Sequence, residues 1–404
     1  MTSQDQGVTM LITGGRVLVD SGTYLEDGAV LIEGDSISAV GPRKEIEKRA
    51  GADVPRFEFG GTVLPGLIDA HVHLAFDGGP DPVSTLQGST DEALFEDMRR
   101  RSEQLLHSGV TTVRDLGDRG GLALRLAAEI SDRHTPGPRI VSAGTPATTV
   151  GGHCHFLGGE VSGETEIREL VRRNLAAGAG VIKAMVTGGG LTKDGPRSHQ
   201  SQFTAEELAA LVEEAHKAGV PVAAHAHGAD GIASAVEAGV DTIEHCTWMS
   251  SDGLDFRPDV VQQIIAKDIT VCPAVSPHWQ MLPRFFGEER ANAMFDLVGQ
   301  MADAGVRLIA GTDAGVQRAG FDGLAQALSF YSHLGLSNAS IIDMATSRAA
   351  AALGLGEITG KVAPGFRADL LLVDGDPLAD LAALNGVHTV FASGVRHEPN
   401  STGQ

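Results

Sequence analysis

The sequence predicts an α/β protein: a (β/α)8 barrel of the TIM type carrying a small β-sandwich domain formed by both termini. Three observations carry that prediction. Between residues 64 and 360, eight short apolar runs alternate with amphipathic stretches, at the period of about 30 residues that strand–helix units require. Metal-ligand residue types stand at the ends of several different runs. A barrel mouth gathers such positions, whereas a doubly wound open sheet places its ligands at one switch point. The two ends of the chain alternate apolar and polar residues between glycine turns, which is the texture of antiparallel strands.

The elements follow in order. The sandwich takes residues 1–63 and 361–404, and the barrel takes 64–360. In the N-terminal part, MLITGGRVLVDSG and GAVLIEGDSISAVG read as antiparallel strands with glycine turns. ADLLLVDGDPLADL and VHTVFASGVRH repeat the pattern near the other end. The barrel strands are 67–74, 110–116, 139–143, 181–187, 220–225, 242–245, 269–274 and 306–311. Their length and apolarity suit strands buried on both faces. Among the helices between them, the clearest begins at Thr204, with Glu207 three residues later as a capping box. It then places Leu208, Leu211, Val212 and Ala215 on one face.

Composition narrows the function classes. A chain of 404 residues with 42% hydrophobic content can bury a large core. A formal net charge of −21 argues against nucleic acid or an anionic membrane surface as partner. No apolar run approaches the roughly 20 residues that cross a bilayer. The N-terminus lacks a basic segment followed by an apolar one, so no signal peptide is expected. The three cysteines form no CxxC and cannot all pair, which suits a reducing, cytoplasmic setting. A small-molecule or peptide substrate is the expected partner, and a homo-oligomer is compatible with all of this.

The chemistry lies at the strand ends. Lys183 sits within the apolar run Val181-Ile182-Lys183-Ala184-Met185-Val186. A lysine there is costly unless its charge is paired or removed, and no acid on a neighbouring run stands free to pair with it. His71 and His73 are two residues apart, so a strand puts both on one face. His225 and His245 end the fifth and sixth runs, and Asp313 follows the eighth. Each has a plainer reading: half-exposed or core histidines, an Asp that caps the next helix, a lysine in a buried ion pair. One arrangement accounts for all six together. Lys183 has reacted with CO2 to give a carbamate, whose two oxygens bridge two divalent metal ions. Imidazole and carboxylate suit zinc, and two such ions can share a hydroxide near neutral pH.

These residues fall in segments that resemble the amidohydrolase superfamily, and within it the binuclear Xaa-dipeptidase and ochratoxinase-like branch, related to imidazolonepropionase. The matching pieces are LPGLIDAHVHL, GVTTVRDLG, GGHCHFLGG, VIKAMVTGGG, SHQSQFTAEEL, VAAHAHG, AGVDTIEHC, IAGTDAG and GKVAPGFRADLLLVDGDPL. The resemblance implies that His71, His73 and Asp313 bind the more buried metal and that His225 and His245 bind the other, with Lys183 as the bridge. It implies hydrolysis of an amide bond in a dipeptide, an N-acyl amino acid or the C-terminal end of a modified peptide. Asp313 would take the proton of the bridging hydroxide and pass it to the leaving amine. Of the two histidines on the fifth strand, His225 is taken as the ligand, because it ends the apolar run and precedes His245 by 20 residues. His227 then faces the substrate, at a position where related dipeptidases often carry a tyrosine. His153 and His155 are candidates to polarise the scissile carbonyl, to bind an anionic end of the substrate, or to order their loop. The loop 188–202 would cover the substrate, with Arg197 either meeting a carboxylate or lying on the surface. A cyclic amide hydrolase or deaminase of the same superfamily is the alternative, as is a lactonase or phosphotriesterase on the same metals.

Overall fold

The structure, a computed structural model, describes residues 9–399. The reading of the first eight residues as leaderless, and the outermost ends of the proposed sandwich, lie outside the described residues.

Seven of the eight predicted runs are parallel strands. Leu67–Val72, Val110–Asp115 and Arg139–Ser142 form one array, and Ile182–Met185, Val222–Gly228, Thr242–Met249 and Thr270–Cys272 form a second. The eighth run differs from the expectation. Residues 306–311 make no regular strand, only a bridge from Leu308 to Val271, and just beyond the run Ala314 bridges to Val72. The reason is that its hydrogen bonds are divided. Val271 N donates to Arg307 O at 2.9 Å and Ile309 N to Val271 O at 3.0 Å, while Ala70 N donates to Ala310 O at 3.0 Å. Ala310 N goes elsewhere, to Met344 O. The other seam is bridged by Ala147, whose N donates to Lys183 O and whose O accepts from Met185 N. Main-chain hydrogen bonds thus run from each segment to the next and from the eighth back to the first. Helices follow the strands in turn. In Ala205–Lys217 the expected capping box is formed, and Leu208, Leu211, Val212 and Ala215 are buried. No helix among the described residues is long and apolar enough to cross a membrane.

The termini form two further sheets. One has the order Ser36–Pro42, Gly28–Glu33, Thr9–Thr13, Arg56–Glu58. The other runs Val395–His397, Val387–Ala392, Leu370–Val373, Thr62–Pro65, Arg16–Asp20, Thr23–Glu26, so it joins strands from the N-terminal and C-terminal parts of the chain. The sequence reading needs correction here. Thr9–Thr13 and Arg16–Asp20 are not hairpin partners but lie in different sheets, and each has a parallel neighbour. Gly14-Gly15 makes the crossing. A Cβ on Gly15 would lie 2.2 Å from Gly60 O, so only glycine lets the chain pass.

Period two in Leu370–Val373 joins these sheets to the rest. Leu370 and Leu372 pack in the small core with Ile12, Val30, Val63 and Phe391. Leu371 and Val373 belong to the main core, with Leu67 and Val110. Each such buried side chain contributes roughly 1.5–3 kcal/mol. Gly66 then links Thr62–Pro65 directly to the first parallel strand. A Cβ there would lie 2.2 Å from Thr111 Oγ1 and 2.7 Å from Thr111 Cβ. Gly66→Ala is therefore expected to destabilise the protein by about 1–3 kcal/mol, the usual cost of overpacking. Urea unfolding checks this, and a loss below about 0.5 kcal/mol, the range of neutral surface changes, would contradict the packing described.

Candidate metal centre

The first parallel strand delivers two imidazoles to one buried point. The Nε2 atoms of His71 and His73 lie 3.3 and 3.4 Å from the same oxygen, Asp313 Oδ1. Asp313 reaches it through a left-handed backbone, φ 58°, with its N–H donated to His71 O at 2.8 Å. Asp69 locks the seam: its carboxylate accepts from His71 N at 3.2 Å, Thr312 N at 3.0 Å and Thr312 Oγ1 at 2.6 Å. Burial pushes the Asp69 carboxyl up to about 6, with Thr312 opposing that rise. Asp313 caps no helix, because the next one, Leu324–His333, begins well beyond it.

The second group comes from two adjacent strands. His225 and His227 are two residues apart on Val222–Gly228, and His245 stands on Thr242–Met249. Their ring centroids lie 4.5 to 4.8 Å apart, His227 stacked on His245. One ligand atom from each lies within 4.8 Å of the others, as is true of His71, His73 and Asp313. The two groups adjoin, with His71 and His245 rings 5.1 Å apart. His153 is brought to this cluster, 4.7 Å from His225, by a loop whose Cys154 has φ 55°. Left-handed non-glycine backbone recurs at His245, Cys246 and Trp248. Such residues cost about 1–3 kcal/mol each and concentrate at functional sites. Packing holds them here: Trp248 is fully buried, its Nε1 3.4 Å from Met301 Sδ.

The electrostatics favour a charged carboxylate and neutral imidazoles at five of the six histidines; His71 is the exception, which burial would lower but Asp313 and Glu244 raise above the ordinary value. Burial pushes His73 down to about 4, His153 to about 3 and His227 to about 4, and holds His225 and His245 well below the ordinary value. Burial alone would raise Asp313, but His71 and His73 hold it below the usual carboxylate range. His73 Nδ1 lies 3.1 Å from Gly117 O. A carbonyl only accepts, so His73 carries its proton on Nδ1 and turns a bare Nε2 toward the bare Asp313 oxygen. His73 and Asp313 thus turn two acceptors toward each other, and Asp313 Oδ1 has no hydrogen-bond partner.

Lys183 lies beside them on Ile182–Met185. Its register neighbour is Ala223, and Met185 pairs with His225, so Lys183 shares a strand face with that histidine one layer below. It is 1% exposed, and its Nζ also has no partner. Burial pushes its ammonium down, with Glu244 and Asp313 opposing. Glu244, on a neighbouring run, is not free to pair with it, as the sequence reading expected: it binds Arg114 and His71. Neutral imidazoles, an ionised carboxylate and a buried unpartnered amine form a donor set that fits divalent cations.

Other predicted residues lie apart. His155 sits on the turn His155–Leu157 and lines a neighbouring cleft of about 590 Å³, with Phe156, Leu191, Thr192 and Lys193. Arg197 is exposed, and its side chain joins no salt bridge among the described residues. Sequence reasoning missed Arg114 and Glu244. Both carry the signal that singled out Lys183, a charge inside an apolar run. It also missed Thr192, whose Oγ1 lies 3.3 Å from His153 Nδ1 and which nothing in its glycine-rich loop marks.

Comparison with known proteins adds four findings. The sequence matches the amidohydrolase family over residues 62–396. The ochratoxinase of Aspergillus niger is 26% identical over 419 aligned residues, covering 94% of this chain and 84% of that protein. The imidazolonepropionase of Paracoccus denitrificans is 28% identical over 412, covering 92% and 94%. Among solved structures, a Xaa-Pro dipeptidase with bound methionine in its active site superposes with a TM-score of 0.84 at 28% identity, over 96% of this chain and all of that one.

Proposed function

The chain belongs to the amidohydrolase family, enzymes that hydrolyse carbon–nitrogen bonds, and on that premise we propose that it cleaves the amide of a dipeptide, an N-acyl amino acid or the C-terminal end of a modified peptide. The observation that carries this reading is the pair of histidine groups abutting one unpartnered buried lysine. The relatives named as a Xaa-Pro dipeptidase and an ochratoxinase support the substrate class.

In this reading the eight linked segments close into a (β/α)8 barrel, residues 64–360, and the terminal sheets form a β-sandwich from the described residues of the two ends, 9–63 and 361–399. The centre then lies at the mouth, where such barrels work. His71, His73 and Asp313 would hold one divalent ion and His225 and His245 another, zinc fitting the donors best, with Lys183 as a CO2-derived carbamate between them. Bound there, the two ions would activate water and polarise the scissile carbonyl. The chain's own groups complete the reaction. Asp313 accepts a proton at its carboxylate and returns it to the leaving amine. His153 hydrogen-bonds the carbonyl oxygen and His227 contacts the substrate, while His155 on the neighbouring cleft and the exposed Arg197 are left for parts of the substrate that extend beyond the cluster.

Elemental analysis of the purified protein is expected to give about two divalent ions per chain, since five protein ligands plus a carbamate exceed what one tetrahedral zinc uses. A release assay over dipeptides and N-acyl amino acids is expected to find substrates. One ion at saturation with full activity would overturn the two-ion assignment in favour of a single-metal deaminase or cyclic amide hydrolase. Turnover of lactones or phosphotriesters with no amide cleaved would overturn the substrate class.

A further inference from the structure

A buried ionic relay lies beneath the centre. Arg114, 2% exposed, donates from Nε to Ala70 O at 2.7 Å, from Nη1 to Thr242 Oγ1 at 2.9 Å and from Nη2 to Glu244 Oε1 at 2.7 Å. Thr242 Oγ1 donates to the same Glu244 oxygen at 2.7 Å. Glu244 is fully buried, and its other oxygen, Oε2, lies 2.9 Å from His71 Nδ1. The relay joins the second parallel strand to the sixth and the sixth to the first.

We infer that Glu244, held in one orientation by Arg114 and Thr242, is a positioning residue that sets the tautomer of His71 and so makes its Nε2 a metal ligand. The inference rests on the metal-centre reading proposed above. The argument is one of donors and acceptors. Both donors on Oε1 are fixed, because the guanidinium is tied at Nε to the backbone and cannot turn away. Oε2 is therefore left for His71, and a carboxylate oxygen only accepts. His71 must put a proton on Nδ1, which frees Nε2 toward Asp313. The partner of a metal-bound imidazole commonly fixes its tautomer and orientation, and losing it costs typically 10–100-fold in metal affinity.

Glu244→Gln separates this role from packing. The amide has one oxygen, and Arg114 and Thr242 require it at the Oε1 position. Its NH2 then faces His71 Nδ1 and demands a bare nitrogen there, so the proton moves to Nε2. The expected result is a folded variant with roughly 10–100-fold weaker binding of one zinc ion, read by calorimetric titration of metal-free protein with zinc. The 15N spectrum of histidine-labelled metal-free protein, with His71 assigned by its loss in His71→Asn, is expected to show a protonated Nδ1 in wild type and a bare Nδ1 in the variant. Thr242→Val, which leaves the carboxylate acceptor-only, is expected to keep the wild-type tautomer and zinc affinity. Wild-type His71 found with a bare Nδ1 would overturn the inference, and that measurement stands even if Glu244→Gln fails to fold. Equal zinc affinity in Glu244→Gln and wild type would also overturn it. A wild type that binds no zinc while showing Nδ1–H would instead defeat the metal-centre reading and leave the tautomer assignment standing.

Discussion

Lys183→Ala is expected to remove nearly all activity and to lower the metal content, with short carboxylic acids and bicarbonate restoring part of both. The motive is structural. Lys183 is buried to 1% exposure with no partner for Nζ, and of the two acids that oppose its burial, Glu244 already serves Arg114 and His71. An unmodified ammonium there would bear a desolvation cost that no direct ion pair offsets. Burial instead pushes the group toward its neutral amine, the form that reacts with CO2. A carbamate there would invert the charge and supply two oxygens as metal ligands. Removing one preorganised donor from an active site costs about 10²–10³ in rate. A ligand shared by both ions should cost at least the upper end of that. Folding and chemistry must be separated, because a long side chain cut to alanine leaves a cavity costing roughly 2–5 kcal/mol. Lys183→Met keeps the volume and is expected to fold as well as wild type yet be equally inactive. Lys183→Arg should not rescue, since a guanidinium cannot become an anionic ligand. Electron density showing a bare ε-amine in the metal-loaded, active enzyme would sink the carbamate.

Why some of this was legible in the sequence and some was not follows from the range of the interactions. The HxH pair at His71 and His73 was legible because period two is local: two residues apart on a strand means one face. The capping box at Thr204 and Glu207 was legible for the same reason, since both partners lie within one turn. The eighth run was read as a strand because its apolarity reports burial. What it cannot report is how backbone hydrogen bonds divide between two neighbours, which tertiary context decided. Thr9–Thr13 and Arg16–Asp20 looked like a hairpin because Gly14-Gly15 looked like a turn. The requirement that placed glycine there is the approach of Gly60, 45 residues away in sequence. Glu244 and Arg114 are the instructive omission. Each is a charge in an apolar run, and the logic that made Lys183 conspicuous applies to both. They cancel each other, as buried charges must, and only the fold shows which charges are left unmatched.

Asp313→Asn is expected to leave the fold intact and to lower kcat by about 10²–10⁴-fold, the usual contribution of one general acid–base group, or more if ion binding also weakens. The structure sharpens this test. An Asp at this place in the sequence could have been a helix cap, and Asn caps about as well as Asp. No helix begins at Asp313, and its Oδ1 makes no hydrogen bond that an amide would break. Its φ of 58° lies in the left-handed region, which Asn tolerates at least as readily as Asp. The substitution therefore removes the negative charge that His71 and His73 surround and changes little else. Thermal unfolding should barely move while turnover collapses, and that divergence separates a chemical role from a structural one. A variant with unchanged stability and kcat within about threefold of wild type, far from the 10²–10⁴-fold expected of a catalytic base, would remove Asp313 from the proton path. The base would then be sought first at His153. It alone of the two loop histidines stands against the cluster, 4.7 Å from His225, whereas His155 faces the neighbouring cleft.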